Sequence, residues 1–126
     1  MNIEVGEYVR TKNGVIAQLE YIHDKDEVYW FDKVIYSRYG EEIDFLTTEE
    51  LPKYIIKHSK NIIDLIEVGD FVNGNKVHSV DYSTSTQTGE KYLVIDKIYI
   101  SVKFFYERDI KSIVTKEQFS NMEYRV

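Results

Sequence analysis

The chain repeats itself, and that limits its fold more than any other feature. Ile3-Glu4-Val5-Gly6-Glu7-Tyr8-Val9 returns 63 residues later as Ile66-Glu67-Val68-Gly69-Asp70-Phe71-Val72. Phe31-Asp32-Lys33-Val34-Ile35-Tyr36-Ser37 returns as Ile95-Asp96-Lys97-Ile98-Tyr99-Ile100-Ser101, and Leu46-Thr47-Thr48-Glu49-Glu50-Leu51 as Val114-Thr115-Lys116-Glu117-Gln118-Phe119. Any β-rich chain repeats Val, Ile and Tyr, but three blocks in the same order with slowly growing offsets indicate an internal duplication. In 126 residues a duplication leaves room for two small units, residues 1–61 and 62–126. Ser59-Lys60-Asn61 is too short for a free linker, so the units are expected to pack as one rigid body.

Each copy reads as short strands. Tyr8 to Thr11 is a strand after a Gly6 turn, and Asn13-Gly14 is a two-residue hairpin signal requiring positive φ. Val15 to Ile22 returns, with Val15, Ala17, Leu19 and Tyr21 alternating against Ile16, Gln18 and Glu20. Val28 to Ser37 is a third strand, rich in aromatic and β-branched residues. Thr47-x-x-Glu50 has capping-box spacing and starts a helical turn, which Pro52 stops. Tyr54 to His58 closes the copy as a strand. A helical stripe through Leu51, Ile55, Ile62 and Ile66 is the competing reading. The second copy has an Asn73-Gly74-Asn75 turn, a return over Lys76 to Tyr82 and a long strand from Lys91 to Val102. Its capping box is Thr115-x-x-Gln118, and Met122 to Val126 is its closing strand.

This order resembles SH3-like small barrels, and the opening Val5-Gly6-Glu7-Tyr8-Val9-Arg10-Thr11-Lys12-Asn13-Gly14-Val15 resembles the first hairpin of SH3-like and KOW-type barrels. The expected fold is mainly β: two tandem SH3-like small barrels, each with one short helical turn before its last strand.

Motifs for chemistry are missing. Cysteine is absent, so thiol catalysis and cysteine-zinc sites are excluded. His23, His58 and His78 form no ligand-spaced pair, and His23-Asp24-Lys25-Asp26-Glu27 lacks the glycine and terminal glutamate of a calcium loop. No glycine-rich phosphate loop or nucleophile elbow occurs. We therefore expect no enzymatic activity, no metal and no cofactor. The start is not that of a signal peptide and no apolar run could span a bilayer, so a cytoplasmic protein without membrane partners is expected.

Two surface features remain. Tyr29-Trp30-Phe31 is consecutive, and neighbours on a strand face opposite sides. Either Trp30 or the Tyr29/Phe31 pair therefore meets a second surface, which is the face between the copies or a partner-binding patch that Tyr36 and Tyr39 extend. With 16 basic against 22 acidic residues the net charge is -6, which disfavours non-specific nucleic-acid binding. Asp24, Asp26, Glu27, Glu41 and Glu42 lie in loops of the first copy and could face a basic partner surface.

The stretch Ile56 to Gly74 and the tail Ile113 to Phe119 with Met122-Glu123-Tyr124 resemble small uncharacterised proteins encoded by phages and prophages of low-GC Gram-positive bacteria. The resemblance implies context, not activity: small acidic phage proteins of this kind often inhibit host defence, as anti-CRISPR proteins do. The expected function is to bind and block a host protein with a basic surface. The alternatives are an SH3-like nucleic-acid or ribonucleoprotein module using Arg10, Lys12 and Lys76, and a sponge holding a signalling nucleotide in a cleft between the copies.

Overall fold

The computed structural model describes residues 1–25, 27–37, 39–98 and 101–122. These are mainly β, arranged in antiparallel sheets, and fall into two compact units, Met1–Leu65 and Ile66–Val126.

The first unit runs β1 (Tyr8–Thr11), β2 (Ile16–His23), β3 (Val28–Tyr36), β4 (Glu42–Thr47), the short helix α1 (Leu51–Tyr54), β5 (Ile55–Ser59) and a 3₁₀ turn (Ile62–Leu65). Its strands lie in the order β4-β3-β2-β1-β5. Alternation along β1 and the first half of β2 turns Val9, Ala17 and Leu19 inward, where they meet Phe31, Ile35, Leu46, Leu51 and Ile55. β1 is buried on its other side too. Arg10 has no exposed surface, and its guanidinium donates to the Leu65 carbonyl at 2.9 Å. The 3₁₀ turn thus belongs to the first unit, and the break between units follows Leu65.

Several local expectations change. Among the described residues no sheet closes into a barrel; β4 and β5 are the two ends of an open sheet. The β1–β2 turn is longer than two residues: the Gly14 amide donates to the Thr11 carbonyl at 3.0 Å, and at the tip only Gly14 takes a positive φ, 85°. Thr47 and Glu50 close a turn rather than begin the helix, with the Glu50 carboxylate accepting the Thr47 amide at 3.0 Å. Pro52 sits inside the first turn of α1, where its missing N–H costs nothing; extended backbone at Ile55 ends the helix. The competing helix beyond residue 54 does not form.

The second unit contains β6 (Phe71–Val72), β7 (Asn75–Lys76), β8 (Asp81–Thr84), β9 (Lys91–Ile98), β10 (Ser101–Tyr106), a 3₁₀ turn (Glu107–Asp109), β11 (Ile113–Val114) and α2 (Lys116–Met122). One sheet has the order β10-β9-β8 and the other β11-β6-β7. Asn73 (φ 49°) and Gly74 (φ 80°) make a two-residue hairpin between β6 and β7; Asn75, expected in the turn, is already the first residue of β7. The expected long strand from Lys91 to Val102 is two strands instead: Val102 lies on β10 and pairs back with Lys97. α2 is longer than the single turn expected and includes Met122, so the closing strand does not begin there; its residues 123–126 lie outside the described residues.

The repeated Ile-Glu-Val-Gly-(Glu/Asp) blocks build the same turn twice. Gly6 and Gly69 take φ of 95° and 97°, conformations that glycine adopts without strain. Their amides donate to the Leu19 and Val77 carbonyls at 2.8 and 2.9 Å. Glu7 accepts the Glu4 amide at 2.6 Å, and Asp70 the Glu67 amide at 2.7 Å.

Candidate functional site

Three aromatic side chains cross the first sheet on one face. Trp30 on β3 stands in register between Tyr21 on β2 and Phe45 on β4. The Trp30 and Phe45 rings pack at 4.9 Å between centroids, tilted by 44°. All three are open to solvent: 54% for Tyr21, 39% for Trp30 and 41% for Phe45. Adjacent strands are spaced by about 4.8 Å, so the row is about 10 Å across before ring width is added.

A bulge makes the row. Leu19 pairs with Phe31, but Tyr21 pairs with Trp30. β2 thus spends two steps where β3 spends one, and the alternation reverses beyond it. Leu19 is buried and Tyr21 exposed, against the expected shared face. Over Tyr29 to Phe31 of β3 the alternation is kept. Phe31 is buried and Tyr29 packs against the core, so Trp30 is the member of Tyr29-Trp30-Phe31 that faces out. Tyr21 also meets the His23 ring edge-on at 6.2 Å.

The other expected contact residues do not join this row. Tyr36 is 40% exposed at the far end of β3, where it pairs with Glu42, three residues from Phe45 on β4 and hence about 10 Å along the strands from the row. Tyr39 is 75% exposed in the following turn, beside exposed Glu41 and Glu42. Asp24 and Glu27 are exposed at the opposite end of β3, and Asp26 lies outside the described residues. The loop carboxylates thus form two groups at opposite ends of β3, which the five steps from Thr47 to Glu42 on β4 separate by about 17 Å. Nearer the row are exposed Glu20, next to Tyr21, and exposed Asp32, two residues from Trp30.

Sequence reasoning missed Tyr21 and Phe45. Phe45 carried a signal, because it alternates with buried Leu46 in a strand-like run. Tyr21 carried none, since its outward direction depends on the bulge. The basic trio considered for nucleic acid also fails at one member: Arg10 is sealed inside the first unit and cannot reach a phosphate. Lys12 and Lys76 are exposed.

The second unit has its own aromatic cluster. Tyr92 lies 5.3 Å from Phe104 and 5.2 Å from Tyr106. The Arg108 guanidinium sits 4.3 Å over the Tyr106 ring and pairs with Glu90. Phe104 is 49% exposed, but Tyr92 and Tyr106 are half-buried, so less of this cluster is open.

Near the start of β1, buried Glu7 meets His58 of β5, with Oε1 2.9 Å from Nδ1. Burial pushes the Glu7 carboxyl upward. The hydrogen bonds from His58 and the Glu4 amide, with the charges of His58 and Lys60, outweigh it and hold the carboxyl below its ordinary 4.5. Among the described residues no helix is long and apolar enough to cross a membrane. Comparison with family models, curated proteins and solved structures finds no match.

Proposed function

We propose that this chain is a non-enzymatic accessory protein of phage type that binds and blocks a host protein in the cytoplasm, as an inhibitor of a defence system. The observation that carries the reading is the exposed row Tyr21, Trp30 and Phe45. Isolated exposed aromatics are ordinary, but a cross-strand row of three is the composition of a binding hot spot. Rigid rings on a sheet lose little side-chain freedom on docking. Glu20 and Asp32 beside the row suit a partner whose contact surface has an apolar centre and a basic rim. Blocking would be steric.

The two units are read as products of one SH3-like ancestor. The twin glycine turns support this, as does the order of the first sheet with α1 between β4 and β5. The second unit has diverged further in its strand pairing.

The test is capture by the tagged protein from a low-GC Gram-positive host lysate, compared with the folded Trp30→Ala/Phe45→Ala variant. One stoichiometric protein held by the parent and released by the variant supports the reading. Equal capture by both removes the row as the site. Co-purified nucleic acid in place of a protein favours the nucleic-acid module.

A further inference from the structure

A cleft of about 330 Å³ opens in the first unit at the end of β3 away from Asp24 and Glu27. Its walls are Thr11, Lys12 and Asn13 from the β1–β2 turn, Tyr36 from the end of β3, and Lys53 and Tyr54 from α1. Hydrogen bonds to backbone carbonyls hold these three elements around it. The Lys12 amide donates to the Tyr54 carbonyl at 2.9 Å, and the Asn13 side-chain amide donates to the Tyr36 carbonyl at 2.8 Å. The cleft is thus formed before any ligand arrives, which lowers the entropic cost of binding.

Its chemistry is unlike the rest of the surface. The chain carries 22 acidic side chains against 16 basic ones, yet among the described residues the lining has two lysines and no carboxylate. Among the described residues neither Lys12 nor Lys53 is ion-paired. Two ammonium groups beside one small space favour a dianion, and lysine serves phosphate as a point charge. Tyr36 and Tyr54 add planar faces and phenol donors. The volume is at the lower end of small-molecule sites, which run from about 300 to 1,000 Å³, and suits one nucleotide rather than a chain.

We propose that this cleft binds a nucleoside monophosphate, with the phosphate between Lys12 and Lys53 and the base against the tyrosine rings. The site is separate from the row around Trp30 and does not rest on the protein-blocking reading.

The test is calorimetric titration of the full chain at low salt with AMP, GMP, CMP and UMP, alongside their nucleosides and inorganic phosphate. Saturable one-to-one binding of at least one monophosphate is expected. It should weaken by about tenfold or more in Lys12→Ala/Lys53→Ala and be unchanged in Lys33→Ala, whose exposed lysine lies outside the cleft. Circular dichroism checks that each variant is folded; the replaced side chains are all exposed. No binding of any monophosphate at millimolar concentration overturns the proposal. So does undiminished affinity in the double variant, and so does inorganic phosphate binding as tightly as the nucleotides, because the rings would then contribute nothing.

Discussion

The Asp70 carboxylate receives the Lys116 amide at 2.8 Å, and so ties the turn before β6 to the first residue of α2. Its other oxygen holds the Glu67 amide at 2.7 Å, and the side chain is fully buried. Glu7 stands at the same place in the first unit and reaches the imidazole of His58 instead. One turn, built from one repeated block, is locked in two chemically different ways.

Asp70→Ala strands two part-buried amide donors. Bonds to a charged acceptor contribute about 1.5–3 kcal/mol each, with partial compensation by water. A loss of about 2–4 kcal/mol in urea denaturation is expected. Lys116→Ala keeps the bond, because its donor is backbone. It loses an ion pair to Glu67 at 2.8 Å on a half-exposed side chain, and about 0–1 kcal/mol with it.

Acid should loosen the Glu7 lock. A carboxyl held below 4.5 in the folded chain binds a proton less readily there than when unfolded. Its contribution is therefore complete above pH 4.5 and fades as pH falls through the lower folded value. Melting temperatures measured from pH 6 down to pH 3 should fall less steeply in Glu7→Gln than in the parent. Identical slopes would show that Glu7 carries no such linkage.

Arg10→Met tests the polar contact inside the first unit. The substitution keeps most of the stem's packing but leaves the Leu65 carbonyl without its guanidinium donor. About 1–3 kcal/mol should be lost, and amide exchange over residues 62–65 should accelerate. Unaltered exchange there would mean that the 3₁₀ turn is held by its apolar residues alone.

Trp30→Ala and Phe45→Ala should separate binding from folding. Both rings are on the outer face, and a cross-strand aromatic pair contributes about 0.5–1 kcal/mol. Thermal unfolding should shift little, while affinity for the captured partner should fall by about tenfold or more. A large loss of stability with unchanged affinity would reassign the row to structure.

Part of what depends on local chemistry was legible in the sequence. Gly6 and Gly69, Asn73-Gly74 and the strand Ile55–Ser59 lie where spacing and residue type put them. It could not announce what depends on a neighbouring strand. Tyr21 faces out because β2 gains a step against β3, and Arg10 is buried because a turn 55 residues away closes over it. Thr47 and Glu50 form their hydrogen bond, yet the helix starts later, since a capping pair also suits a plain turn. Trp30 was legible as one of two alternatives; its companion Phe45 became evident only from the β3–β4 register.

The pairing of β1 with β5 sets an order of events during synthesis. Tyr8 lies opposite Ser59 and Arg10 opposite Lys57, while the carbonyl that receives the Arg10 guanidinium belongs to Leu65. A nascent chain that has exposed β1 to β4 still has a bare strand edge and a buried-type cation with nowhere to go. The first unit can therefore finish only after residue 65 has cleared the ribosome, and any fragment ending before β5 leaves one edge of β1 without its partner strand.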